Sequence, residues 1–271
     1  MSPALTKLPA GAEILQAGGR GGTGNVLYYF PREQPPLVLK VYRPRRSRVR
    51  EGLKHFSERV LEGKRGATAA IRCATEKLNL VLWEREGFEV IPHFARPLPA
   101  GIAMPALWLG YCEAPLLSEA LTDARRPMEA KLALVEALGG SLSRRHRRAM
   151  ELKEPLLVHE HGQIKHFFVV GDRLVAFDLE HGFKPGYPVI KAVARELAGI
   201  ATSLARANQG APDAFLRAFV AGYLNKSLLR QAAQEAIHGA GLLGWIRRWQ
   251  PRGDSSPLGK TRIMERLEAM L

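Results

Sequence analysis

Cysteine is almost missing from this chain: Cys73 and Cys112 are the two present in 271 residues. Their spacing suits no metal, so neither a disulfide framework nor a zinc site is expected, and a reducing, cytoplasmic setting is the simple reading. Long apolar runs are missing too. No window approaches the roughly 18 residues that a membrane-crossing helix needs, which excludes a span and leaves contact with a membrane surface open. The first residues lack the basic-then-apolar pattern of a secretory signal, and there is no internal repeat or low-complexity tract. Acidic residues are scarce beside basic ones, 26 against 40, for a net charge of +14 and a pI near 10.2.

What is present is an ordinary globular balance, 46% hydrophobic and 24% charged, long enough for one large or two modest domains. The charge favours an anionic partner: nucleic acid, a phosphorylated substrate or an anionic membrane face. Nucleic acid is the weakest of the three, because the basic residues lack interleaved aromatics and no binding motif appears.

The chain is organised around LVHEHGQIKHFFVVGDRLVAFDLEHG, residues 157–182. Its two apolar runs, Phe167–Val170 and Leu174–Phe177, flank Gly171-Asp172, a two-residue hairpin signal. Such a hairpin is expected to bring His159, Glu160, His161, Lys165 and His166, before it, toward Asp178, Glu180 and His181, after it.

Upstream, residues 13–16 and 25–30 read as strands around the glycine-rich turn Ala17–Gly24. Gly19, Gly21, Gly22 and Gly24 would let backbone N–H groups approach phosphate oxygens, although a hairpin without a ligand has the same composition. A third strand, residues 37–42, carries Lys40 in its apolar centre. Buried lysine is costly unless paired; the alternative is an edge strand with Lys40 facing water. An arginine-rich segment follows at residues 43–50, either a solvated surface or a face for an anionic target. Residues 69–86 read as a helix with Ile71, Leu78, Val81 and Leu82 at helical spacing, stopped by Gly87. Glu76 is the candidate partner of Lys40, with Glu58 and Glu62 as rivals. Residues 88–92, 101–105 and 107–113 read as further strands, and the stretch from Tyr111 through Leu117 as the crossing into a second, helical region. There a helix is expected over 128–142, running into Arg144-Arg145-His146-Arg147-Arg148. Further helices are expected over 188–207, carrying Arg195 and Glu196, and over 213–233 and 255–271. Residues 240–249, with Trp245 and Trp249, suit either a core-capping helix or a membrane interface.

Three features together resemble the bacterial lipopolysaccharide core kinases of the WaaP/InaA (Kdo/heptose kinase) family: the Lys40 strand with its basic sequel, the Glu76 helix, and the 159–181 stretch. The family's catalytic loop is similar to H-R-D-x-Y-x-C-H-F-L, matched here by His159, Ile164, His166 and Phe167. Its metal motif is similar to I-D-L-H-R, matched by Asp178 and Leu179. His161 stands where the family has its catalytic aspartate, Glu160 replaces the preceding arginine, and Glu180 and His181 alter the residues after the metal aspartate. The other register, His161-Gly162-Gln163, also lacks the aspartate.

The resemblance implies an α+β, protein-kinase-like bilobal fold, with a small antiparallel-sheet N-lobe over 1–113 and a mainly helical C-lobe over 114–271. It implies ATP and Mg²⁺ as cofactors, with Gly19, Gly21, Gly22 and Gly24 over the phosphates. Lys40, held by Glu76, would ground the α- and β-phosphates, and the backbone near Glu113 would meet the adenine. Asp178 would hold the metal, His166 assisting through water, and His161 or Glu160 would orient and deprotonate the acceptor hydroxyl. The implied acceptor is a heptose or Kdo hydroxyl of the anionic lipid A–core glycolipid, reached by a cytoplasmic protein peripheral to the inner membrane. A pseudokinase that binds nucleotide without transferring phosphate, or another reaction such as AMP transfer, fits the same features.

Overall fold

The computed structural model describes residues 8–16, 24–44, 65, 68–238 and 259–271. Gly19, Gly21 and Gly22, the arginines of 45–50, Glu58, Glu62, Trp245 and Trp249 lie outside the described residues. The chain divides into two units. One comprises Met1–Glu113 together with Asp178–His181; the other comprises Ala114–Phe177 and Gly182–Leu271.

The first unit is built on a five-stranded antiparallel sheet of β1 (Glu13–Gln16), β2 (Val26–Phe30), β3 (Leu37–Val41), β4 (His93–Phe94) and β5 (Ala106–Gly110). The strands lie in the order β1-β2-β3-β5-β4. Side chains alternate across a strand, so Val26, Tyr28, Phe30, Leu37, Leu39, Val41 and Trp108 gather into one apolar cluster. Lys40 is out of phase with Leu39 and Val41 and points to the opposite face. Its strand pairs with β2 on one side and β5 on the other, so it is no edge strand facing water. The strands expected over 88–92 and 101–105 do not form; the fourth strand is His93–Phe94. Pro92, Pro97, Pro99 and Pro105 lack the N–H donors that a longer ladder requires.

Helix α1 (Ala69–Arg85) starts with Thr68 Oγ1 accepting from the Ile71 N–H at 3.3 Å. It ends at Gly87, whose φ of +77° lets Phe88 N–H reach the Trp83 carbonyl at 2.8 Å. Its buried residues include Arg72, Glu76, Asn79 and Trp83, whereas Leu78 and Val81 are exposed. The apolar stripe expected from Ile71, Leu78, Val81 and Leu82 is therefore not the inner face; of the four only Leu82 is buried. The inner face mixes Leu80, Leu82 and Trp83 with Arg72, Glu76 and Asn79, whose polar groups meet partners in the first unit, as described below.

The second unit opens with α2 (Leu117–Thr122) and α3 (Met128–Leu152). The latter runs ten residues beyond the expected end, because Arg145 and His146 of the basic cluster point inward to a buried partner. The hairpin β6 (Phe167–Val170) and β7 (Arg173–Ala176) closes one residue short of the second expected run, with Gly171 at φ +62° in its turn. Then follow α4 (Val189–Ala207), α5 (Pro212–Gly222), α6 (Lys226–His238) and, among the last described residues, α7 (Lys260–Glu268). Helix α4 is the axis of this unit, burying Val193, Leu197, Ile200, Ala201 and Leu204.

Helices α3 and α5 touch backbone to backbone. A Cβ added at Gly222 would stand 2.1 Å from the Glu136 carbonyl oxygen, while one at Gly140 would stand an ordinary 3.6 Å from that of Gly222. Gly222→Ala is therefore expected to cost about 1–3 kcal/mol through forced separation of the helices. Gly140→Ala should be neutral or gain up to about 1 kcal/mol in helix propensity. Thermal melting of the two variants side by side checks the contrast.

Candidate active site

In the first unit the buried Lys40 is the hub of a charge cluster. Its Nζ lies 2.7 Å from Glu76 Oε2, 2.7 Å from Asp178 Oδ1 and 3.3 Å from Glu180 Oε2. Tyr42, two residues on and on the same strand face, donates its hydroxyl to Glu76 Oε2 at 2.5 Å. Arg72, one turn before Glu76 on α1, lies 3.1 Å from Glu180 Oε1 and donates to Asn25 Oδ1 at 2.7 Å and to the Arg43 carbonyl. Asn25 donates in turn to Glu180. Asn79 Nδ2 donates to the Leu179 carbonyl at 2.8 Å, so α1 grips the Asp178–His181 segment through both a side chain and its backbone. This grip holds Asp178 at φ +60°, in the left-handed region that a non-glycine residue enters at a cost.

Electrostatics follow from burial and proximity. Burial works against the Lys40 ammonium, but Asp178, Glu76 and Glu180 outweigh it and hold the group above the ordinary lysine range. For Glu76 burial dominates and raises the carboxyl, with Lys40 pulling the other way. Glu180 is buried as well, yet Lys40, His181 and Arg72 together keep it well below the usual carboxylate range. Burial, and then Glu76, push the Tyr42 phenol well above its usual value. Three carboxylates thus face two cations, leaving a negative charge in excess. Glu76 Oε1 is buried with no hydrogen-bond partner among the described residues. Single oxygens of Glu76, Asp178 and Glu180 lie within 4.8 Å of one another, and the Asp178 side chain is 37% exposed. Lys40 Nζ already stands among these oxygens, so the part-exposed Asp178 carboxylate is the member that fits a hard divalent cation such as Mg²⁺.

In the second unit the segment from His159 forms a tight turn, with Gly162 N–H donating to the His159 carbonyl at 3.1 Å. His159 Nδ1 accepts from the His161 N–H at 3.2 Å, so its Nε2 carries the proton and donates to the Phe177 carbonyl at 3.3 Å. His166 stacks on His159, with ring centroids 4.9 Å apart, and meets the edge of Phe177. The half-exposed His161 places Nε2 at 2.7 Å from the buried Glu160 carboxylate. The turn is anchored from α4: Glu196 Oε2 accepts from the His159 N–H at 2.9 Å, and Ser203 Oγ accepts from the Ile164 N–H at 3.2 Å. Glu196 also binds Arg145 and lies 3.1 Å from His146 Nε2, while Tyr223 donates to His146 Nδ1 at 2.9 Å.

Of the residues singled out in the sequence, the structure joins Lys40, Glu76 and Asp178 in one cluster and His159, Glu160, His161 and His166 in another. Gly24 is described, at φ +90°, and Glu113 ends the first stretch of its unit with an exposed side chain. Both cysteines are half-buried thiols. Sequence reasoning gave Arg72, Asn79 and Tyr42 no role, and named Glu180 and Glu196 without the partners they meet. The spacing of Arg72, Glu76 and Asn79 on one helical face was the signal that could have found the first two.

The described residues define an α+β protein with an antiparallel five-stranded sheet in one unit and helices around a β-hairpin in the other. No family model matches the sequence, and no curated protein matches it. Among solved structures it is similar to WaaP in complex with acyl carrier protein, at 16% identity over 86% of this chain and 87% of that one, with a TM-score of 0.44.

Proposed function

We propose that this chain is an ATP-dependent phosphotransferase of protein-kinase type whose acceptor is a sugar hydroxyl, heptose or Kdo, of the lipopolysaccharide inner core. The observation that carries the reading is the buried Lys40–Glu76 pair on which Asp178 converges. Phosphoryl transfer asks a protein mainly for positioning and charge compensation. Lys40, kept charged and immobile, is a fixed cation for the α- and β-phosphates. Gly19, Gly21, Gly22 and Gly24 offer backbone donors to the phosphates, and the backbone at Glu113 serves the adenine. Asp178 would hold Mg²⁺, with His166 as a water-mediated partner; the ion, when bound, supplies neutralisation of phosphate charge. In the second unit His161, with Glu160 beside it, would take the acceptor proton; the acceptor oxygen would bond to the γ-phosphorus of ATP while the bond from that phosphorus to the departing ADP oxygen breaks. The net charge of +14 suits the anionic lipid A–core glycolipid, and among the described residues no helix is long and apolar enough to cross a membrane.

Lys40 engaged by three carboxylates, together with histidine in the aspartate's place, favours as a second reading a pseudokinase that binds nucleotide and transfers nothing. Thermal shift with ATP and Mg²⁺ comes first, with Lys40→Ala and Asp178→Ala as controls. No shift in the parent protein would sink both readings. Transfer of labelled γ-phosphate to core sugar then separates them. His161→Ala should lower turnover by about 100-fold or more while leaving nucleotide affinity nearly intact; equal loss of both would remove its role as base.

A further inference from the structure

Beside the turn that carries His161, within the second unit, lies a cleft of about 330 Å³. Gln163 and Lys165 line it from the turn, Thr122 from α2, Ser203 and Arg206 from α4, and Lys260 from α7. No aspartate or glutamate lines it. Lys165, Arg206 and Lys260 are exposed, and among the described residues no carboxylate pairs with any of them. Three like charges brought to one concavity by three separate elements repel one another and create a local positive potential. Three of the four lining hydroxyls are already committed: Ser203 holds the Ile164 N–H and donates to the Ile200 carbonyl at 2.8 Å, Thr122 donates to the Ser118 carbonyl at 2.9 Å, and Thr202 donates to the Ala198 carbonyl at 2.6 Å. The cationic heads, the Gln163 amide and the Ser118 hydroxyl are what the cleft has left to offer a ligand. Its volume is that of a small-molecule site rather than of a flat bilayer contact.

We propose that this cleft is a recognition subsite for a sugar bearing a phosphate or carboxylate group. The identity of that sugar as the acceptor rests on the phosphotransferase reading. The turn supplies both the base, at His161, and two of the cleft's walls, at Gln163 and Lys165, so an anionic group seated here would hold its own ring next to the base.

The test is isothermal titration of the full chain, without nucleotide, with glucose 1-phosphate, glucuronate and glucose. The two anionic sugars should bind, and glucose about tenfold more weakly or worse. The double variant Lys165→Gln/Arg206→Gln should lose about tenfold or more in affinity for both anions. Lys191→Gln, an exposed change on α4 outside the cleft, should lose nothing. Equal binding of glucose, an unaffected double variant, or an equal loss in Lys191→Gln would each overturn the proposal. So would loss, in the double variant, of binding to phosphatidylglycerol-containing vesicles when neither anionic sugar binds the parent protein; the face would then be a bilayer contact. Sugar binding by a chain that never transfers phosphate supports the subsite and removes the phosphotransferase reading. Transfer by the double variant at an unchanged acceptor KM does the reverse.

Discussion

Lys40→Met will destabilise the protein by about 3–5 kcal/mol at neutral pH, because it strands the buried Glu76 without a counter-charge and leaves Glu180 to Arg72 alone among the permanent cations. Glu76 and Glu180 are both buried, and Lys40 lies 2.7 Å and 3.3 Å from them. The sign of the pH dependence follows from their titration. In the parent, Glu180 is held below its ordinary value, so its contribution is full above that value and fades as pH falls. In the variant Glu180 keeps Arg72, but Glu76 loses its lysine and burial raises it further. Its penalty is then absent below the ordinary carboxylate range and sets in as pH rises. The stability gap between variant and parent should therefore be widest near pH 7 and shrink toward pH 4. Adding Glu76→Gln to Lys40→Met should recover part of the loss by removing one stranded charge. Denaturant melts at several pH values decide it: a Lys40→Met protein as stable as the parent at pH 7 would mean that the cluster is solvated and no buried hub exists.

Glu196→Ala is the second large effect, about 3–5 kcal/mol, centred on the other unit. It leaves Arg145 charged in the interior and the His159 N–H without its acceptor. Burial resists ionisation of Glu196, but Arg145 and then His146 outweigh it and bring the group down to about 2 from an ordinary 4.5. A depressed carboxyl stabilises fully above its unfolded value and loses that support as pH falls from about 4.5 toward 2. The shift corresponds to about 3 kcal/mol over that window. The parent should thus lose stability steeply between those limits, and Glu196→Ala, already without the carboxylate, should show a much shallower acid limb. Burial lowers His146 as well, so a neutral imidazole relays between Glu196 and Tyr223 at pH 7. Parallel acid limbs for parent and variant would assign the acid loss to other groups.

The hairpin was legible because Gly171-Asp172 separates two runs of period two, and Lys40 was legible because a cation amid Leu37–Val41 has to be explained. The inner face of α1 was not. Its polar residues meet partners far along the chain, Arg72 at Glu180 and Asn79 at Leu179, separations of 108 and 100 residues. Meanwhile Leu78 and Val81 imitated a core stripe on the outer side. Arg145 and His146 were similarly hidden inside a run of like charges, since what draws them inward is Glu196, 51 and 50 residues away. The two-residue strand His93–Phe94 left no period to read. Local pattern reports a residue's phase on its own element; it does not report a counter-charge supplied from elsewhere.

The four residues Asp178–His181 belong to the first unit although the chain on both sides belongs to the second. A polypeptide cut after Glu113 would therefore leave the ammonium of Lys40, the guanidinium of Arg72 and the amide of Asn79 on one fragment, and Asp178, Glu180 and the Leu179 carbonyl that they bind on the other. Split-protein complementation, lobe swapping and stepwise domain loss all meet that obstacle. Recombination can exchange the sheet only if it re-matches a tetrapeptide encoded some 65 codons downstream.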